Sequence, residues 1–312
     1  MSFTRTVKEE ITRKEFPSAC CKIACLSAFL RTAGSIVSKG SNVGFSFFTE
    51  NAATAAYFCD IVSKAFAIEG NVKSKSSGEK ENYSAEFLSD ATLGALIELG
   101  ILSVSADGVK VVFGIDKYIT ESECCKRAYI AGAFLGGGSC TVPTASGGST
   151  GYHLEFVFSF YETAHDFAEL LAEFDIAAKL IERKNTFVVY VKSNEEIQEI
   201  LTIIGAEESV SVLAETVVVK DINNRANRKL NCDLSNISKQ VAAAERQVEA
   251  IETISQTVGL SALTPELRAV AELRAADKVL TLEEMANELN VTKSCVNHRM
   301  RKIMQIANDL KN

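Results

Sequence analysis

The sequence predicts an α+β protein in which a duplicated unit of mixed helices and strands is followed by an all-α helix-turn-helix domain. Three observations predict it. The pair Cys20-Cys21 recurs as Cys124-Cys125, an offset of 104 residues (124 − 20), and the same offset maps Gly34-Ser35 onto Gly138-Ser139, Lys75 onto Lys179, and Ser89-Asp90 onto Ser193-Asn194. A repeat of that size is a small fold built twice, so the copies are expected to pair about a pseudo-twofold axis and not to stack as a solenoid. Within each copy the apolar pattern switches between helical and alternating stretches, and from Thr264 onward three capped helical patterns succeed one another. Residues 1–219 are assigned to the duplicated domain, with copies at about 20–116 and 124–215, and residues 220–312 to an arm, a connecting helix and the helix-turn-helix.

In the first copy Cys20 to Thr32 is apolar without period-2 alternation and of helical length, and it ends at Gly34-Ser35. Val43 to Thr49 reads as a strand. Asn51 caps a helix to about Ile68, Asn71 to Ser76 and Tyr83 to Ser89 alternate as a hairpin, and Asp90 caps a helix to Leu99. The second copy repeats the order: helix Glu123 to Leu135, strand Tyr152 to Phe160, helix Glu162 to Phe174, hairpin Ala177 to Lys184 with Thr186 to Lys192, and helix Asn194 to Ile204. Its insertion, Thr141 to Gly151, has the Pro, Gly, Ser and Thr content of a surface loop, and a hairpin extension explains it more simply than a lid. Ser209 to Val219 is apolar, β-branched and ambiguous. Lys220 to Lys239 is Asn-rich and basic, which suits a linker or a phosphate-touching arm carrying Arg225, Arg228 and Lys229. Ile237 to Val258 then has a heptad-like apolar stripe and reads as a connecting helix.

Composition narrows the function classes. With 47% apolar and 23% charged residues the chain is ordinary globular protein. No apolar run approaches the roughly 20 residues of a membrane helix, and the opening alternates charged with apolar residues, so a cytoplasmic location and no membrane partner are expected, nucleoid-associated if the chain binds DNA as its helix-turn-helix suggests. Nine cysteines, an odd number, read as reduced thiols; without Cys-x-x-Cys, and with no histidine among Cys20, Cys21 and Cys25, no metal site, cofactor or catalytic group is expected. Buried thiols opening an apolar helix fit Cys21, Cys25 and Cys125. The net charge of −7 hides an asymmetry, because residues 1–219 hold 19 basic against 28 acidic side chains and residues 220–312 hold 14 against 12. An acidic body with a basic tip meets phosphate at the tip.

The helix-turn-helix is read from spacing. Thr264-Pro265-Glu266 starts one helix with Leu267, Val270, Ala271 and Leu273 inward, and Thr281-Leu-Glu-Glu284 is a capping box opening a second with Leu282, Met285, Ala286 and Leu289 inward. Asn290 is the turn residue that tolerates a left-handed conformation, and Thr292 caps a third helix with Val296, Met300, Ile303 and Ala307 buried. The exposed set on that helix, Lys293, Ser294, Asn297, His298, Arg301, Lys302 and Gln305, with Thr292 at its start, suits base edges and phosphates of double-stranded DNA.

Leu26-Ser-Ala-Phe-Leu-Arg-Thr-Ala-Gly34 and Ile130-Ala-Gly-Ala-Phe-Leu-Gly-Gly-Gly138 both resemble the LAGLIDADG motif of homing endonucleases. Ala28 and Thr32, with Gly132 and Gly136, put small residues at i and i+4, so two helix backbones can cross closely. In the endonucleases the eighth motif position is an acid that binds the catalytic metal; here it is Ala33 and Gly137, and Glu50 or Asp60 would have to substitute. Gly136-Gly-Gly-Ser139 is a poor phosphate cradle because it follows a helix and no Gly-Lys-Ser/Thr occurs. A degenerate LAGLIDADG duplication followed by a helix-turn-helix, with Met1-Ser-Phe, Val7-Lys-Glu-Glu-Ile11, Arg127 to Leu135, Asn231-Cys-Asp233 and Cys295-Val-Asn-His-Arg299, resembles the WhiA family of Gram-positive bacteria. That resemblance implies sequence-specific DNA binding by the third helix, no nuclease activity, a regulatory role in sporulation, cell division or chromosome segregation, and protein partners from transcription or division. By analogy with the DNA saddle of the endonucleases, Lys75, Lys80, Lys179 and Lys184 on the hairpins are expected to lie symmetrically on one face. The competing readings are a metal-dependent homing endonuclease and a ligand-gated DNA-binding sensor.

Overall fold

The computed structural model describes residues 2–40, 42–77, 80–143 and 151–311, so most of the inserted loop, 144–150, lies outside the described residues. The chain divides into two compact units, residues 1–220 and 221–312.

In the first unit α1 (Phe3–Thr12) precedes the first copy, which runs α2 (Ala19–Ala33), β1 (Gly34–Lys39), β2 (Asn42–Thr49), α3 (Ala52–Phe66), β3 (Asn71–Ser77), β4 (Lys80–Phe87) and α4 (Thr92–Glu98). A hairpin of β5 (Leu102–Ser105) and β6 (Gly108–Val111) leads to the second copy: α5 (Glu123–Gly137), β7 (Gly138–Thr141), β8 (His153–Phe158), α6 (Tyr161–Ala172), β9 (Lys179–Arg183), β10 (Thr186–Val191) and α7 (Asn194–Ile203). Each copy builds a four-stranded antiparallel sheet, and the strand orders β1-β2-β4-β3 and β7-β8-β10-β9 are the same. The repeat in the sequence is a repeat of fold.

Local chemistry sets the boundaries. Ser18 and Ser122 open α2 and α5, each hydroxyl accepting from the amide three residues on at 3.4 Å, which satisfies a donor that the helix itself cannot. Asn51 caps α3 through the Thr54 amide at 3.0 Å, as the sequence predicts. Helix α7 starts at Asn194, as expected, with Ser193 at its cap, whereas α4 begins at Thr92 with Ala91, not Asp90, at its cap. Strands β1 and β7 are not anticipated by the sequence. They begin at Gly34 and Gly138 in extended backbone directly at the helix end, with no turn between to announce them.

Alternation puts one face of each sheet on the helices. Phe45, Phe47, Ala85 and Phe87 are buried in the first copy, and Leu154, Phe156, Phe158, Val189 and Val191 in the second. Between the sheets' helices, α2 and α5 pack backbone to backbone. A Cβ on Gly132 would stand 2.0 Å from the Cys25 carbonyl oxygen, and one on Gly136 2.0 Å from the Thr32 hydroxyl. Only glycine leaves room at those two points, so the small residues read from the motif are required by this crossing. The unit closes on itself through buried Glu10 of α1, whose carboxylate accepts from the amides of Glu208 at 2.8 Å and Ser209 at 3.0 Å and from the Ser209 hydroxyl at 2.8 Å. It thereby caps the first turn of α8 (Glu207–Thr257), where a negative charge meets the positive end of the helix.

Helix α8 corrects what the sequence predicts for this region. The Asn-rich stretch Lys220 to Lys239 is neither linker nor loose arm: it is continuous helix, as is Ser209 to Val219. Of the predicted heptad stripe only part is inward; Val248, Ile251 and Ile254 are buried, whereas Ile237, Val241 and Val258 are exposed. A left-handed Gly259 ends the helix, and a short 3-10 turn at Leu260–Ala262 follows. The second unit continues with α9 (Pro265–Ala276), α10 (Leu282–Glu288) and α11 (Lys293–Lys311), closing a core of Ile251, Ile254, Val270, Ala271, Met285, Ala286, Val296, Met300, Ile303 and Ala307. Among the described residues no helix is long and apolar enough to cross a membrane.

Candidate nucleic-acid interface

Helices α10 and α11 of the second unit each open with a side-chain cap. Thr281 Oγ accepts from the Glu284 amide at 3.2 Å while Glu284 accepts from the Thr281 amide at 2.7 Å, the reciprocal pair expected of a capping box. Helix α10 then ends in a left-handed turn: Asn290 has φ 52°, its amide donates to Asn287, and the Val291 amide donates to the Ala286 carbonyl at 2.9 Å. Those bonds satisfy carbonyls that the helix end leaves without an internal partner. Thr292 opens α11 by accepting from the Cys295 amide at 3.3 Å. The turn between α10 and α11 is thus satisfied by its own backbone and one hydroxyl, which fixes the angle of α11.

On α11 the buried stripe is Val296, Met300, Ile303 and Ala307, all predicted. Ser294, Asn297, His298, Arg301 and Gln305 follow one another at i, i+3, i+4, i+7 and i+11 and so form a single stripe on the opposite face. His298, Arg301, Lys302 and Gln305 are exposed, as are Thr292, Lys293 and Ser294 at the start of the helix; Asn297 is half-buried. Lys293 is engaged within the protein, its ammonium 3.0 Å from Glu283 of α10. Two arginines that sequence reasoning misses hold the scaffold. Arg274, buried, donates to the Leu280 carbonyl at 2.6 Å and ties down the α9–α10 connection, and Arg268 donates to the carbonyls of Leu260, Ser261 and Leu263 at 3.1, 2.7 and 3.2 Å. Neither carries a motif; only the carbonyls they meet reveal them.

The other predicted contacts are distributed. Arg225, Arg228 and Lys229 lie on exposed turns of α8, with Arg225 in an ion pair to Asp221 at 2.6 Å. The four hairpin lysines depart from the expected symmetry. Exposed Lys75 stands near the tip of its hairpin, paired with Asn82 on β4, whereas exposed Lys179 begins β9, paired with Tyr190 far from the turn. Lys80 starts β4, paired with Ser77, while exposed Lys184 sits with Asn185 in a two-residue turn where both have positive φ, the backbone that such tight hairpins demand. The copies share strand order, but their turns differ, so equal sequence spacing does not give equal ladder position. Ala33 and Gly137 end α2 and α5 beside β1 and β7. Of the two alternative acids, Asp60 pairs with Lys64 along α3 at 2.8 Å, and Glu50 faces Lys8 of α1, whose ammonium burial pushes down to about 8.

Comparison with known proteins places this architecture. Residues 19–84 match the sequence model of the WhiA N-terminal LAGLIDADG-like domain, residues 126–223 that of the WhiA LAGLIDADG-like domain, and residues 226–307 that of the WhiA C-terminal HTH domain. A probable cell division protein WhiA from Clostridium botulinum is 38% identical, covering 100% of this chain and 99% of its own, and one from Alkaliphilus metalliredigens is 36% identical over 98% of each. The chain belongs to the WhiA family. The crystal structure of full-length DUF199/WhiA from Thermatoga maritima aligns with a TM-score of 0.58 at 25% identity, over 99% of both chains. The fold expected from the sequence, two LAGLIDADG-like copies and a helix-turn-helix, is the WhiA fold. Its last two family regions meet between residues 223 and 226, inside α8, close to where the two compact units divide.

Proposed function

We propose that this WhiA-family chain is a sequence-specific DNA-binding regulator acting in cell division, without nuclease activity. The observation that carries it is the stripe Ser294, Asn297, His298, Arg301 and Gln305 on α11, set by the capped turn at Asn290 and opposed to a fully apolar buried stripe. Those side chains offer both donors and acceptors, and Asn and Arg are the types whose geometry matches adenine and guanine edges in the major groove. Lys302 beside the stripe, and Lys293 once released from Glu283, supply phosphate contacts that set register. The cell-division role rests on the names of the relatives, and a transcriptional mode of action on the helix-turn-helix.

The absence of carboxylates at Ala33 and Gly137 supports a non-cleaving LAGLIDADG pair, because a hard divalent cation at the helix ends would find no oxygen ligand from the motif. The test joins both halves of the proposal. The protein is mapped across its genome by crosslinking, and an enriched site is then incubated with pure protein and Mg²⁺ or Mn²⁺. Protection by footprinting with the strand left intact is expected; chelator-sensitive cleavage at the site overturns the non-enzymatic reading, and absence of any enriched site overturns the specific-binding one.

A ligand-gated variant of this function has one feature in its favour. A cavity of about 410 Å³ lies where the copies meet, lined by Leu30, Ile36, Phe45, Phe113, Phe160 and Thr163. Among the described residues the charged side chain that lines it, Arg31, is already committed to the carbonyls of Gly100 at 2.6 Å and Val112 at 2.8 Å, so its chemistry suits an apolar ligand better than an anion.

A further inference from the structure

Read from the sequence alone, neither vicinal cysteine pair is a metal-ligand set. The fold changes that premise. Helices α2 and α5 open with the same pattern, Ser18-Ala19-Cys20-Cys21 and Ser122-Glu123-Cys124-Cys125, and their close crossing brings the two starts together. The sulfurs of Cys20, Cys21 and Cys125 all lie within 4.8 Å of one another. Cys124 lies against Cys21, and Cys20 against Cys125, so each thiol of one copy has a partner from the other. Cys20 and Cys124 are exposed and give access from solvent, whereas Cys21 and Cys125 are buried.

We propose that Cys20, Cys21, Cys124 and Cys125 form a tetrathiolate site for a thiophilic divalent ion of the Zn²⁺ type on the pseudo-twofold axis of the duplicated domain. Tetrahedral zinc holds each thiolate sulfur at about 2.3 Å, which keeps the four sulfurs of such a site in mutual contact. Three of these sulfurs already lie within 4.8 Å of one another, and Cys124, exposed and against Cys21, joins them by a change of staggered rotamer. At the two exposed sulfurs the surroundings favour thiolates, because two helix N-termini point their positive ends at the cluster. The capping hydroxyls hydrogen-bond the sulfurs as well: Ser18 Oγ lies 3.0 Å from both Cys20 Sγ and Cys21 Sγ, and Ser122 Oγ 3.2 Å from Cys124 Sγ. These contacts lower the Cys20 and Cys124 thiols, led by their serine partners, while burial raises Cys21 and Cys125. Binding exchanges four thiol protons, released to solvent, for one cation, with no oxidant required. Such an ion would staple the first copy to the second at the interface that the fold depends on.

The other metal-like group among the described residues, His165, Asp166 and Glu169, is a weaker candidate and serves as the control. Asp166 accepts from the Ile115 amide at 2.7 Å, and His165 and Glu169 are exposed. The experiment titrates the reduced full-length chain with Co²⁺, whose spectrum reports ligand type directly. One equivalent is expected to give thiolate-to-cobalt charge transfer with the intense visible bands of a tetrahedral site, bleached by stoichiometric Zn²⁺, and Zn²⁺ is expected to raise the thermal midpoint. Cys20→Ser with Cys124→Ser, substitutions at exposed positions, should abolish the charge transfer, whereas His165→Ala should leave it unchanged. Cys20→His, which keeps four ligands, should retain binding with an altered spectrum and keeps the test valid if the double serine variant is unstable. A weak octahedral spectrum without charge transfer in the parent chain overturns the proposal. So does unchanged binding in the double variant, or a native Cys20–Cys125 or Cys21–Cys124 disulfide whose reduction yields no metal uptake.

Discussion

Replacing Asn297 or Arg301 with alanine tests whether α11 reads base edges, and the structure bounds the outcome. Neither side chain belongs to the buried stripe, so truncation removes no core contact of the kind that costs about 2–5 kcal/mol at Met300 or Ile303. Thermal stability should stay within about 0.5 kcal/mol. Each lost base contact should cost about 1–3 kcal/mol on the specific site, or roughly 5- to 150-fold in Kd, with little change on scrambled DNA. Lys302→Ala differs in kind: it should weaken both DNAs and reduce the salt slope by about one. Lys293→Ala should have a smaller effect than Lys302→Ala, because Lys293 must first leave Glu283, although an exposed pair of this sort holds it by only about 0–1 kcal/mol. Fluorescence anisotropy titrations on a footprinted genomic duplex at two salt concentrations read all four variants. Unchanged specific affinity in both Asn297→Ala and Arg301→Ala would refute the reasoning and move the reader to the face of α8 that carries Arg225, Arg228 and Lys229.

Three further outcomes are expected. Gly132→Ala places a Cβ 2.0 Å from the Cys25 carbonyl oxygen, where neither backbone can yield without parting the helices. A loss near the upper end of the usual range for overpacking, about 1–3 kcal/mol, should therefore appear in calorimetry; an unchanged melting temperature would show that the crossing is loose. Residues 1–219 alone should bind duplex DNA more weakly than about 10 μM at physiological salt, since 28 acidic side chains oppose the 19 basic ones, and a submicromolar Kd would contradict this. Glu266 and Glu284 are held below the usual carboxylate value of 4.5 by backbone hydrogen bonds at the starts of α9 and α10. The stability they add is present above that value and is lost as pH falls through the lower folded value. Glu284→Gln should flatten that acid limb in a pH series of thermal melts.

The legible parts of this chain are those in which one residue determines a local geometry. Asn51, the Thr281–Glu284 box and left-handed Asn290 each act within four residues, and the α11 stripe obeys helical period alone. Features that depend on distant partners are not legible. The Asn-rich stretch of α8 has poor intrinsic helix propensity, yet the helix runs through it, anchored by buried Leu213 before it and by Ile251 and Ile254 after it. Arg274 looks like a surface arginine until the Leu280 carbonyl is placed beside it. The paired cysteines are visible as a repeat, but their meeting requires the crossing of α2 and α5, which joins residues 104 positions apart (124 − 20).

The two halves of the LAGLIDADG-like motif answer to different constraints, which explains how such a scaffold can keep its form without the acids. Gly132 faces the Cys25 backbone and Gly136 the Thr32 hydroxyl, each 2.0 Å from where a Cβ would stand, so a side chain at either position works against the crossing. Ala33 and Gly137 lie in the last turn of each helix, half-buried, where a pair of carboxylates would add the cost of two like charges with no cation between them, and at Gly137 any side chain would also meet the Val157 carbonyl oxygen, 2.6 Å from its Cβ. Without a metal to hold, the small neutral residue is the more stable choice at that end of the crossing. At the opposite end the crossing of the same two helices brings Cys20, Cys21 and Cys125 together, with Cys124 against Cys21, beside two helix N-termini that favour negative charge. The duplicated architecture thus offers no motif carboxylate at one end of the crossing and, on the proposal above, thiolates for a soft cation at the other.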